Sequence, residues 1–459
     1  MSTRLKWLVT VWGFILLLPG LLAVLGYCFL IPVMLATGDI EALPWGIGLV
    51  VFLTVTLGGG VLTVYQGLQA LSKRPSPSRP LRLPPLWAVG GGFALALAIG
   101  LGLQRVEVCA PLLFPLCLMV AAVAPPLAAV VWMLDRRPGT LTWRRAGVAF
   151  VSGATVSVIL AIILEVLLPG IVLLLVLDLA EPVVDGLGKL FDALAGREVA
   201  RVLTSPGFLF ALVELAVVAP LVEETVKPLV TLPLLRHLER PRDALLLGAA
   251  AGAGFAVLEN VLYATAGLRI WAGILAVRAL GAAVHPLGTG LVTLSWHGLL
   301  RSRPDTRSED GRKIGRRWLS AYGLAVGIHA LWNGGSALLL ALAGAQFFGE
   351  MPPEVDVLGT TVAGSLLALL AVEGVAVFVG ARALARRLAS EHEEPAEFPS
   401  TLRPFDGAQD RLRSGQAPLG AGPPSVVPSL SADQAVAIWA LVCLLALLPV
   451  GLAVLQAVW

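Results

Sequence analysis

The chain has 459 residues, of which 57% are hydrophobic and only 14% charged, and its mean hydropathy is +0.85. Soluble domains carry about 25% charged residues, so this composition excludes an ordinary soluble protein and predicts a polytopic membrane protein. The formal net charge of +3 is small, and it gives no indication of a nucleic-acid partner.

Long apolar segments follow one another along most of the chain. A transmembrane helix needs about 20 mostly apolar residues, and about eleven segments satisfy this. They predict an all-α transmembrane bundle with spans at 8–36, 44–71, 84–102, 109–134, 147–178, 206–235, 243–266, 271–299, 318–345, 358–384 and 435–458.

The positive charges between these segments predict an orientation. With the amino terminus in the cytoplasm, the inner segments hold 26 of the 33 Lys and Arg residues. Cytoplasmic loops are enriched in these residues, so we expect an inner amino terminus and an outer carboxyl terminus. The small net charge then follows from the topology.

The same spans predict the domain organisation. Residues 1–180 form five helices, and 181–205 form an amphipathic connector on the outer side. Four consecutive helices at 206–345 form a core, and 346–388 add another transmembrane helix. Residues 389–434 are rich in Glu, Pro, Ser, Gly and Arg, which is typical of a disordered linker, here cytoplasmic. Residues 435–459 form the final helix.

Ionisable residues occur in four successive spans of the core. Each costs roughly 2.5 to 3.5 kcal/mol to insert at membrane depth, so such residues usually face a bundle interior and mark function. At a rise of 1.5 Å per residue they share one depth to within about 10 Å. Consecutive helices tend to be neighbours, so we expect one shared polar site. Its candidate residues are Glu223, Glu224, Lys227, Glu259, Arg278, His285, His329 and Asn333.

The first motif combines two carboxylates and an ammonium. Lys227 lies four residues after Glu223 and three after Glu224, so it reaches either carboxylate on a helix surface. One carboxylate can then stay ionised while the other exchanges protons as a general base. The structural alternative is an ion-paired packing device beside Pro228.

The second and third motifs lie in the next two spans. Phe255, Glu259 and Asn260 follow the run G-A-A-A-G-A-G, whose small residues favour close helix approach. Glu259 is either a catalytic carboxylate or the ion-pair partner of Arg278. His285 begins the string H-P-L-G-T-G, which predicts a kinked or locally opened helix.

The fourth motif is H-A-L-W-N. His329 and Asn333 lie one turn apart on one helix face, so their imidazole and carboxamide groups point toward the same place.

The order E-E-x-x-K, F-x-x-x-E-N, a His followed by small residues, and H-x-x-x-N resembles the PrsW family of intramembrane proteases. This family is distantly similar to the CAAX-processing and bacteriocin-processing membrane proteases. The resemblance covers about residues 206 to 340. It implies a multi-pass protease of a bacterial-type cytoplasmic membrane that cleaves a single-span membrane protein, typically an anti-sigma factor.

The resemblance also implies residue roles. Glu223 and Glu224 match the carboxylates that activate water, and Lys227 matches their basic partner. His329 and Asn333 match the pair that stabilises the oxyanion in the distant relatives. The second motif departs from those relatives, which have a His at the position of Glu259.

Two chemistries fit these residues. In the first, His285, His329 and Glu259 hold zinc and Glu223 is the general base; three protein ligands plus water are usual for catalytic zinc. In the second, a Glu and an imidazole activate water without metal, and Asn333 with His329 forms the oxyanion hole. The metalloprotease description of the family favours zinc.

Two other classes fit the same residues. Intramembrane Glu and His residues also serve proton- or cation-coupled transporters, in which Glu223, Glu224 and His285 would form the relay. A catalytically silent membrane-binding scaffold is the other alternative.

Overall fold

The computed structural model describes residues 79–103, 110–134, 141–168, 203–235, 237–302, 309–348 and 353–390, with isolated positions before residue 73 and at Lys189. The predicted spans at 8–36 and 44–71 are described only at scattered positions, most of the connector at 181–205 and of the linker at 389–434 lies outside the described residues, and the helix at 435–459 lies wholly outside them. Within the described ranges every named element is helical, which confirms the all-α class.

The described residues form eleven α-helices. They are α1 (Leu86–Leu103), α2 (Ala110–Leu134), α3 (Trp143–Ser152), α4 (Pro206–Val213), α5 (Ala219–Leu229), α6 (Leu232–Leu235), α7 (Pro241–Ala266), α8 (Trp271–Leu280), α9 (Val284–Ser302), α10 (Glu309–Phe348) and α11 (Pro353–Ser390). A π turn at Gly153–Ser157 follows α3, and another at Glu214–Val218 joins α4 to α5.

Six helical segments of the described chain are long and apolar enough to cross a membrane. They are Leu86–Leu103, Leu113–Leu134, Trp143–Leu168, Pro206–Leu229, Pro241–Ala266 and Thr361–Ser390. Helices α8 and α9 raise this number to seven if they form one bent span. The predicted span at 318–345 lies inside α10, which is not one of these segments. The count of eleven and the orientation therefore stay predictions.

Helix α7 lies at the centre of the bundle. In α7, 83% of the most apolar stretch is buried inside the protein, whereas the corresponding share is 17% in α1 and in α11. Small residues make this possible: a methyl group on Gly252 would meet the backbone carbonyl of His285 in α9, and one on Gly254 would meet that of Phe150 in α3. This confirms the predicted close helix approach along the glycine run. It places α7, which carries Glu259, directly against α9, which carries His285.

The helix is broken just before His285. Helices α8 and α9 are bent by 41° across residues 281–283. At this bend Gly281 lies against the Trp332 ring, so closely that a side chain would overlap it. Pro286 lies in the first turn of α9, where a missing backbone N–H costs nothing. The predicted kink is confirmed, and it orients His285 toward α5 and α7.

Candidate metal centre and active site

Helix α5 carries three buried polar residues on one face. Its apolar neighbours enclose Glu223, Glu224 and Lys227, whose exposed fractions are 5%, 0% and 0%. The Lys227 Nζ atom lies 2.8 Å from Glu223 Oε2 and 2.8 Å from Glu224 Oε1. It lies 2.7 Å from His285 Nδ1. The ammonium donates to Glu224 Oε1 and lies beside His285 Nδ1, whereas its contact with Glu223 is an ion pair, since Glu223 Oε2 has no hydrogen-bond partner among the described residues.

Phe255 lines the same position from α7. Its ring centre is 4.5 Å from Lys227 Nζ and 5.7 Å from the centre of the His285 ring. A cation over an aromatic face in a desolvated setting gains about 2 kcal/mol. Phe255 therefore acts as an apolar wall that also stabilises the buried charge of Lys227.

The protonation pattern of His329 follows from its two neighbours. Its Nδ1 atom lies 3.0 Å from Glu224 Oε1, and an ionised carboxylate only accepts. Its Nε2 atom lies 3.0 Å from Asn333 Nδ2, and an amide nitrogen only donates. The proton therefore lies on Nδ1, and Nε2 carries the lone pair.

The pattern of His285 is the mirror image. Its Nε2 atom is 2.8 Å from Glu259 Oε2, whereas its Nδ1 atom faces the ammonium of Lys227, which only donates. The proton therefore lies on Nε2, and Nδ1 carries the lone pair. The two imidazole rings meet edge to face, with 4.6 Å between their centres.

The two lone-pair nitrogens converge on Glu223. Its Oε2 atom lies 3.8 Å from His285 Nδ1 and 3.7 Å from His329 Nε2. Glu223, His285 and His329 each offer one ligand atom, all within 4.8 Å of one another and all buried. Two imidazole nitrogens and one carboxylate oxygen form a donor set typical of catalytic zinc.

The outer nitrogen of each histidine supports the same interpretation. Histidines that bind a metal usually have their other ring nitrogen held by a carboxylate or carbonyl, which fixes the ring and its tautomer. Glu259 occupies this position behind His285, and Glu224 occupies it behind His329. The residues therefore fit a zinc ion, provided that the Lys227 ammonium gives up its contact with His285 Nδ1 when the metal binds.

The carboxylate in this group differs from the expected one. Glu259 was expected as the metal ligand and Glu223 as the general base, but Glu223 is the carboxylate that lies beside both histidines. Glu259 Oε2 lies behind His285 and is 2.7 Å from Arg278 Nη2, so the ion pair expected as an alternative is present. The rotation of α5 and α7 about their axes decides which carboxylate faces the gap, and sequence spacing does not give that rotation.

Gly288 is a site residue that the motifs did not single out. A methyl group at this position would lie 2.9 Å from Glu224 Oε2, so only glycine lets the carboxylate approach α9 this closely. The G-T-G spacing after His285 was the available signal. Asn260, Arg278 and Phe255, expected as supporting residues, all lie around the site.

A family model described as PrsW family intramembrane metalloprotease matches residues 142–358. The matched segment runs from α3 into α11 and contains all four motifs. The searches of curated proteins and of solved structures returned no match. The family match and the buried Glu/His/His group together identify residues 142–358 as a PrsW-family intramembrane metalloprotease, and the chain as a peptide hydrolase.

Proposed function

We propose that the chain is an endopeptidase that cuts one single-span, anti-sigma-factor-like protein of a bacterial-type cytoplasmic membrane. Glu223, His285 and His329 would hold zinc, and the bound ion would act as a Lewis acid. The observation that carries this proposal is the convergence of two unprotonated imidazole nitrogens on the Glu223 carboxylate, with a second carboxylate behind each ring.

We assign Glu224 as the general base that accepts the proton of the attacking water. Its Oε1 atom contacts Lys227 and His329, whereas its Oε2 atom has no hydrogen-bond partner among the described residues. Lys227 keeps this carboxylate ionised in an apolar setting, so Oε2 remains an acceptor. A carboxylate in this role contributes about 10²- to 10⁴-fold to the rate.

Asn333 is assigned to the developing oxyanion. Its Nδ2 group contacts His329 Nε2 in the structure; if that nitrogen held a metal, the N–H groups of Asn333 would be free to donate to a substrate oxygen. Neutral donors of this kind are worth about 10²- to 10³-fold in kcat. Lys227 would offset the negative charge of Glu223 and Glu224 throughout the reaction.

The test uses the full chain reconstituted in liposomes with a single-span reporter protein. We expect one specific cut, which is lost at least 10²-fold in Glu224→Gln because the proton acceptor is removed. His329→Ala should lose both the cut and bound zinc. The matched control is Glu373→Gln, which removes another membrane-depth carboxylate on α11 and should cut normally.

Chelation and flux separate the alternatives. A chelator should abolish the cut and added zinc should restore it, whereas a chelator-insensitive cut would favour the metal-free mechanism. No cut by the wild type, together with a cation flux that Glu224→Gln removes, would refute the protease and support a transporter.

A further inference from the structure

Arg278 joins two acceptors on the neighbouring helix. Its Nη2 atom lies 2.7 Å from Glu259 Oε2, and its Nε group donates to Asn260 Oδ1. The guanidinium carbon lies 4.6 Å from the centre of the Tyr263 ring. A planar guanidinium with several N–H groups fixes two adjacent acceptors in one geometry, which an ammonium cannot do. We call Arg278, Glu259 and Asn260 the arginine relay.

The outer end of the relay is anchored on helix α2. Asn260 is buried, and its Nδ2 group donates to the backbone carbonyl of Ala122 at 2.9 Å. In an α-helix that carbonyl would accept from the N–H of residue 126. Residue 126 is a proline inside α2 and has no N–H, so the carbonyl needs another donor. Pro126 thereby gives the relay a fixed attachment point.

The inner end of the relay reaches the candidate metal ligand. Glu259 Oε2 accepts a hydrogen bond from Arg278 Nη2 at 2.7 Å, and it lies 2.8 Å from His285 Nε2. Holding this oxygen in place keeps the proton of His285 on Nε2 and leaves the lone pair on Nδ1, which faces Glu223. The relay therefore acts together with the Lys227 ammonium beside Nδ1 in setting which nitrogen of His285 carries the proton.

The break before His285 makes this support necessary. Helices α8 and α9 are separated at residues 281–283 and bent by 41°, so continuous helical hydrogen bonds do not fix His285 relative to α8. Contacts from Arg278 on α8 through Glu259 on α7 to His285 on α9 cross this break. They replace the rigidity that an unbroken helix would supply.

We propose that Arg278 is a positioning residue, which acts through Glu259 to hold the His285 ring in its metal-binding tautomer, with α2 as the fixed reference. This inference rests on the proposed function, in which His285 binds zinc. Partners behind a metal-binding histidine typically contribute 10- to 100-fold to metal affinity or activity.

The test measures metal binding by the purified full chain in lipid nanodiscs. Zinc affinity is obtained by competition with a chelator, and Co²⁺ reports ligand geometry through its visible absorption. We expect Arg278→Met to weaken zinc binding 10- to 100-fold and to change the Co²⁺ spectrum. Arg278→Lys should restore part of the affinity, because the ammonium still reaches Glu259 but does not also fix Asn260.

The matched control is Arg382→Met on α11. Arg382 lies 3.7 Å from the centre of the Trp132 ring, so this change also removes an arginine that packs on an aromatic residue of the bundle. Arg382 lies outside the arginine relay, so the zinc affinity and the Co²⁺ spectrum of the Arg382→Met variant should match those of the wild type.

A second variant keeps the proposal testable if Arg278→Met does not fold. Asn260→Ala retains the Arg278–Glu259 ion pair but removes the anchor on Ala122, and it should shift the Co²⁺ spectrum in the same direction by a smaller amount. Wild-type affinity and spectra in both variants would overturn the positioning role while leaving the proposed function intact. A wild-type protein that neither binds zinc nor cuts the reporter would instead overturn the proposed function.

Discussion

Lys227→Met removes the only charge that directly contacts both carboxylates of α5 in the described structure. Methionine keeps the apolar stem beside Phe255, so the change removes the ammonium with little loss of packing. Three contacts disappear, to Glu223 and Glu224 at 2.8 Å each and to His285 at 2.7 Å. The two carboxylates then remain buried with their main counter-charge gone.

The expected cost follows from the burial of the group. Exposed ion pairs are worth at most about 1 kcal/mol, but Lys227 and Glu224 have exposed fractions of 0%. Removing one partner of a buried pair costs about 3 to 5 kcal/mol, since it leaves an uncompensated charge. We therefore expect Lys227→Met to lower the free energy of unfolding of the metal-free protein by about 3 to 5 kcal/mol.

The assay is reversible unfolding of the full chain in mixed micelles, followed by tryptophan fluorescence. Arg301→Met, which removes an exposed cation at the end of α9, is the control and should change stability by less than about 0.5 kcal/mol. Adding Glu224→Gln to Lys227→Met should recover part of the loss, because the unpaired charge is then removed as well. A loss below about 1 kcal/mol for Lys227→Met would refute the reasoning, since that is the level of exposed pairs.

Three further predictions concern packing and metal. Gly252→Ala forces a methyl group into the backbone carbonyl of His285, so we expect the free energy of unfolding to fall by about 1 to 3 kcal/mol. Gly298→Ala, whose methyl group would meet nothing within 4 Å, is the control and should be neutral. Equal stabilities of the two variants would contradict this packing. A methyl group on Gly288 would press on the Glu224 carboxylate, so we expect Gly288→Ala to lower peptidase activity about 10-fold or more, and unaltered activity would argue against the role of that carboxylate. Removing zinc from a solution in which free zinc stands at 100 times its dissociation constant should lower the free energy of unfolding by about 2.7 kcal/mol, and a chelator without effect on unfolding would speak against a bound metal.

The sequence already determined the class of the protein and the identity of its polar residues. Runs of about 20 apolar residues are long enough to cross the hydrocarbon core of a bilayer, so hydropathy predicted helices that the structure places at Leu86–Leu103, Pro241–Ala266 and Thr361–Ser390. The same cost of burying charge made Glu223, His285 and His329 stand out, and their positions along the helices predicted a shared depth. This information lies along the chain, where the rise per residue is fixed.

What the tertiary structure decided was the direction of each side chain. Spacing did not distinguish Glu223 from Glu259 as the carboxylate between the histidines, because that depends on how α5 and α7 are rotated and how closely they approach. Nor did it show that Asn260 donates to the carbonyl of Ala122, 138 residues away in the sequence, in place of the N–H that Pro126 lacks. Helix rotation and separation are set by contacts among several helices at once, such as Gly252 against His285, and only the packed bundle contains them.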